Sequence, residues 1–111
     1  MSAHSLSQQS CQACSSSTTA LTQDEIDRLC GQLDGWHYAE HSISKTYHFK
    51  DYYQTIAFVN TIAWLSHREN HHPELAVSYD QCRISYTTHA IHGLSQNDFI
   101  CAAKVDAFLI C

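Results

Sequence analysis

Apolar positions recur along this chain with two alternating periods, and the alternation predicts its elements. Ile26, Leu29, Cys30 and Leu33 fall at i, i+3, i+4 and i+7, the spacing of one helix face. Thr22 is a favourable N-cap, Glu25 closes a capping box, and Asp24 suits the positive end of the helix dipole. Asp34-Gly35 ends this first helix. Two strand-like runs follow, Trp36 to Ala39 and Ser42 to Phe49, joined by a turn near Glu40-His41. In the second, Ile43, Lys45, Tyr47 and Phe49 alternate with Ser44, Thr46 and His48, as in a strand with two unlike faces. So short a gap implies a hairpin.

Asp51 caps the longest helix, expected to reach about Asn70. Its packed face is expected to carry Tyr52, Ile56, Val59 and Ala63, flanked by Phe58, Ile62 and Leu65. After Pro73, Leu75, Val77 and Tyr79 alternate with Ala76 and Ser78. Across Asp80-Gln81, Cys82, Ile84, Tyr86 and Thr88 alternate with Arg83, Ser85, Thr87 and His89, a second hairpin. Gly93 breaks the chain, and Ser95 with Asp98 opens a final helix bearing Phe99, Ala102, Ala103, Ala107 and Ile110. The order α-β-β-α-β-β-α implies a single α+β domain, a four-stranded antiparallel sheet with its helices packed on one face. Trp36 and Trp64 are expected in its core. Residues 1–20, rich in Ser and Thr, read as a flexible N-terminal tail, leaving 21–111 as the domain.

Composition narrows the function. A net charge of −5 with six Lys and Arg argues against a sequence-independent grip on nucleic acid. The apolar stretch Thr55 to Leu65 is too short to span a bilayer, and the N-terminus lacks a signal peptide's apolar region, so a cytoplasmic protein is expected. Cys30, Cys82 and Cys101 sit in apolar patterns and are expected as reduced thiols, with Cys111 exposed. Cys11-Gln12-Ala13-Cys14 is half a zinc site without a second pair, and it lacks the βαβ setting of a redox motif. It is expected to be incidental.

Chemistry concentrates in His67-Arg68-Glu69-Asn70-His71-His72-Pro73, where three of the nine histidines fall within six residues. His67 and His71 have helical spacing for one zinc ion, but Arg68 stands where a His-Glu-x-x-His site needs Glu. A third ligand from His72 or His89 is no easier. His72 precedes Pro73 and is pushed toward extended backbone, where neighbours point to opposite sides. Proton transfer without metal or cofactor fits better. No nucleophile elbow, Cys-His neighbour or glycine-rich phosphate loop exists. His4, His37, His41, His48 and His92 read as surface residues, and Asp98 first of all as a helix N3 residue.

The spacing of His71-His72-Pro73, Tyr79, Thr87-Thr88-His89 and Gly93-Leu94-Ser95 with Asp98 resembles that of the pterin-4a-carbinolamine dehydratases. Gly35-Trp36 and Tyr47-His48-Phe49-Lys50-Asp51 also look like segments of this family, and the resemblance covers about residues 22–110. It implies dehydration of 4a-hydroxytetrahydropterin to quinonoid dihydropterin and water, with the pterin as substrate and no cofactor. It further implies His71, His72 and His89 as acid and base, and Asn70, Pro73, Thr87, Thr88 and Ala90 with those histidines around the pterin. Asp98 would orient a histidine. The family often has Glu four residues before the first His of His-His-Pro, where this chain has His67, so His67 and Asp98 are second-tier candidates and Glu69 is the available acid. The same resemblance implies a homotetramer or dimer coupled to an aromatic amino-acid hydroxylase such as phenylalanine hydroxylase. Its alternative is a protein-binding module, since the animal form doubles as a dimerisation cofactor for a homeodomain transcription factor.

Overall fold

A computed structural model describes residues 6–13, 15 and 17–109. Cys14, His4, Ile110 and Cys111 therefore lie outside the described residues. Helix α1 spans Gln23–Cys30, strands β1 and β2 His37–Ala39 and Ser42–His48, helix α2 Tyr52–Glu69, strands β3 and β4 Glu74–Val77 and Gln81–Tyr86, and helix α3 Gln96–Phe108. A single 3₁₀ turn, His89–Ile91, links β4 to α3. All strand pairs are antiparallel, in the order β1-β2-β4-β3. Glu40 and His41 both take positive φ, which lets the β1–β2 turn match the right-handed twist of its strands.

Strand alternation sets the layers. Ile43, Tyr47, Cys82, Ile84 and Tyr86 face inward and are buried, while Thr46, His48 and Arg83 face solvent on the other side. The helices cover the inner face, Phe99, Ile100 and Val105 of α3 and Phe58, Ile62 and Leu65 of α2 packing on it. Asp106 of α3 is a second tie to the sheet. It accepts hydrogen bonds from Trp36 Nε1 at 3.0 Å, from Lys45 Nζ at 2.9 Å and from the Tyr47 hydroxyl.

Three expectations need correction. Helix α2 buries Thr55, Phe58, Ile62, Leu65 and Ser66, not the row through Tyr52 and Ala63, which are exposed. Apolar residues occur on most of this helix, so hydrophobicity alone does not select a face. Two small hydroxyl residues help to select it: Thr55 Oγ1 donates to Asp51 O and Tyr79 O, both at 2.9 Å, and Ser66 Oγ donates to Ile62 O at 2.8 Å. Trp64 lies outside the core for the same reason, 54 % exposed, with Arg68 over its ring. Strand β3 is a sheet edge, and Leu75, Val77 and Tyr79 are exposed.

The third correction concerns the expected tail. Leu6 is buried in the core, 1 % exposed. The chain after it runs along α3, whose polar residues satisfy its backbone and side chains. Lys104 Nζ donates to Ser7 O at 2.9 Å and Gln96 Nε2 to Gln9 Oε1 at 2.8 Å. Gln12 and Asn97 exchange two bonds, Gln12 N to Asn97 Oδ1 at 2.9 Å and Asn97 Nδ2 to Gln12 O at 2.6 Å.

Candidate active site

The end of α2 aims the histidines. Asn70 caps the helix with φ 53° and ψ 43°, a left-handed conformation that Asn adopts more readily than other non-glycine residues. Its N–H bonds to Ser66 O, and His71 N–H reaches the same carbonyl at 3.2 Å. The helix thus stops one residue before His71, and His71-His72 leave it in a new direction. His67, one turn earlier, remains on the exposed side of α2.

Helix α3 supplies the anchor. Asp98 is fully buried at its N3 position, where it suits the helix dipole. Its Oδ2 accepts from Ser95 N at 3.0 Å and from Thr88 Oγ1 at 2.8 Å, and its Oδ1 lies 2.6 Å from His71 Nε2. A carboxylate accepts, so in the neutral tautomer that donates to it the His71 proton sits on Nε2 and Nδ1 keeps a free lone pair. The His71 ring also stacks on Tyr86, centroids 5.8 Å apart and planes 8° from parallel. Burial raises the Tyr86 phenol above its ordinary range, with Cys101 and Cys11 adding to it, so this wall is uncharged.

A cavity of about 380 Å³ opens beside this pair. It is lined by Asn70, His71, His72, Thr87, Thr88, His89 and Ala90, and also by Cys11, Gln12, Ala13, Glu69 and Asn97. Seven residues singled out from the sequence therefore meet at one place. His67 and Pro73 are not among the lining residues, and Asp98 stands behind His71. His72 and His89 are exposed, whereas the His71 side chain is 11 % exposed. Among the described residues, no three His, Cys, Asp or Glu side chains cluster as a metal site would require.

Periodicity gave no sign of the wall formed by Cys11, Gln12, Ala13 and Asn97. A lone Leu6 in a polar stretch was the one apolar cue, and the partners of Gln12 are far along the chain. Glu69 comes next to Ser66 and Ile62 on the buried side of α2, and its side chain is 6 % exposed. An acid does border the cavity, reached from a different helical angle than position 67. Glu69 Oε1 accepts from Cys11 N at 2.9 Å.

The fold and site define an α+β domain with a histidine-lined cavity in which one imidazole is fixed by a buried carboxylate. The sequence profile of the family described as pterin 4 alpha carbinolamine dehydratase matches residues 19–108. Two similar proteins, from Nitrosospira multiformis and Nitrosomonas eutropha, carry the name "Putative pterin-4-alpha-carbinolamine dehydratase". The first is 55 % identical over 91 % of this chain and 89 % of its own, the second 55 % over 95 % and 94 %. A crystal structure of a transcriptional coactivator/pterin dehydratase from Brucella melitensis superposes with a TM-score of 0.77 at 27 % identity, covering 80 % of this chain and 97 % of that one. The chain belongs to the pterin-4a-carbinolamine dehydratase family, and is thereby an enzyme of the lyase class, a hydro-lyase. No helix among the described residues is long and apolar enough to cross a membrane.

Proposed function

We propose that this cavity dehydrates 4a-hydroxytetrahydropterin to quinonoid dihydropterin. The 4a-hydroxyl takes a proton and leaves as water while a ring N–H gives up its proton, so the reaction needs one acid and one base and consumes no net proton. The observation that carries the reading is the His71–Asp98 contact of 2.6 Å beside the cavity. With Nε2 committed to Asp98, His71 has one basic nitrogen, Nδ1, which suits it to accept the ring proton. His72 and His89 border the same cavity and are the candidate acids. Thr87, Thr88, Asn70 and Ala90 complete the pterin surround, and no resident cofactor enters the scheme. In this reading the enzyme recycles tetrahydropterin for an aromatic amino-acid hydroxylase such as phenylalanine hydroxylase.

The test is dehydration of freshly made carbinolamine, followed as quinonoid product over a pH series. Wild type should accelerate it, and His71→Ala and His72→Ala should each lose on the order of 10²–10⁴-fold in rate. If both variants dehydrate as fast as wild type, the site assignment is wrong. A second reading, a protein-binding module, takes support from the coactivator function in the description of the Brucella structure. It predicts capture of a regulator by a chain that leaves the spontaneous dehydration rate unchanged.

A further inference from the structure

Of the four described cysteines, Cys11 and Cys101 are in sulfur contact, 3.5 Å apart across 90 residues of sequence. Cys101 lies on α3 and is fully buried. Cys11 is half-buried and belongs to the cavity wall, the side from which a small solute would approach it. The backbone around Cys11 is held at this place: the Cys11 N–H bonds to Glu69, and its neighbour Gln12 exchanges two bonds with Asn97. A reachable thiol backed by a second, buried thiol is the arrangement of an oxidisable cysteine with its resolving partner.

We propose that Cys11 and Cys101 are a redox modification site, oxidised by a peroxide-class solute to an intramolecular disulfide that pins the cavity wall to α3. In the first step the Cys11 sulfur attacks one peroxide oxygen and the O–O bond breaks. The departing hydroxide takes the thiol proton, giving Cys11 sulfenic acid and water. In the second, the Cys101 sulfur attacks the Cys11 sulfur, the S–O bond breaks, and the hydroxide leaves with the Cys101 proton as a second water. Two thiols supply the two electrons that reduce one peroxide. The order follows from access, since Cys101 is fully buried and Cys11 borders the cavity; contact with Cys11 and burial both hold the Cys101 thiol well above its ordinary range. Closing the bond draws the sulfurs from 3.5 Å to about 2 Å. A dithiol reductant reverses it.

The test reads the bond itself, so it stands whether or not the pterin reaction is correctly assigned. Trypsin releases residues 1–28, with Cys11 and Cys14, and residues 84–104, with Cys101 as their one cysteine. After stoichiometric hydrogen peroxide and thiol blocking, without reduction, these peptides should appear disulfide-linked, from a chain that still migrates as a monomer under denaturing conditions. The link should persist in Cys14→Ser and vanish in Cys11→Ser. A Cys11–Cys14 loop, a link that survives Cys11→Ser, a bond formed between chains alone, or Cys11 left unlinked would each overturn the proposal.

Discussion

Asp98 serves two structures with one carboxylate. Its Oδ2 stabilises the start of α3 through Ser95 and Thr88, and its Oδ1 fixes the ring of His71. Asp98→Asn keeps the size and an acceptor but puts an amide N–H where an acceptor is needed. The expected outcome is a folded protein, checked by circular dichroism, whose kcat for dehydration falls with little change in KM and whose pH–rate profile shifts. The loss should be smaller than that of His71→Ala, because Asp98 positions the imidazole and does not replace it. Tyr47 belongs to this scale too. Burial and its bond to Asp106 raise its phenol above the ordinary value of 10.0. The unfolded chain therefore ionises first: the contribution is complete below pH 10, and declines as pH rises from there toward the folded value. Chemical denaturation across the alkaline range should show stability declining above about pH 10, less steeply in Tyr47→Phe.

At the scale of elements, the end of α2 matters most. The helix directs His67 to solvent, and Asn70 turns the chain so that His71 and His72 face the cavity. Asn70→Gly should leave stability nearly unchanged, since glycine accepts positive φ. Asn70→Val should cost about 1–3 kcal/mol by denaturant unfolding and lower activity further by misdirecting His71. The histidine segment was legible in the sequence because clustering and Pro73 mark it, and the strands because their alternation is strict from Ile43 to Tyr47 and from Cys82 to Tyr86. The packed face of α2 was not legible. Thr55 and Ser66 look polar in a one-dimensional pattern, yet both satisfy their hydroxyls on backbone carbonyls and so can be buried. Strand β3 is a related case, since alternation shows which side chains share a face, but not whether anything covers that face.

Across the whole molecule, the N-terminal segment completes what the family-matched region leaves open. The profile match begins at residue 19, yet Cys11, Gln12 and Ala13 border the cavity and Leu6 reaches the core. Leu6→Ala should lower stability by about 2–5 kcal/mol in denaturant unfolding, the usual range for such a truncation in a core. A loss under 0.5 kcal/mol, the range of neutral surface changes, would show that the segment is not docked in solution. None of this was visible in composition, because a stretch of Ser and Gln with one leucine reads as solvated chain. Its partners, Asn97 and Lys104, are polar residues of a helix whose sequence gives no hint that they face another segment.

The bonds that hold this wall join residues 58, 85 and 90 positions apart. Contacts of such separation form late, because the loop they close must first be ordered. A ribosome making this chain therefore releases the first wall of the cavity long before the helix that holds it. The two hairpins can pair while Cys11 and Gln12 still have no surface to dock on. In refolding, tyrosine and tryptophan signals from the sheet should precede the protection of the Cys11 thiol from alkylation. The pocket, in time as well as in space, is closed when the segment of Cys11 and Gln12 meets α3.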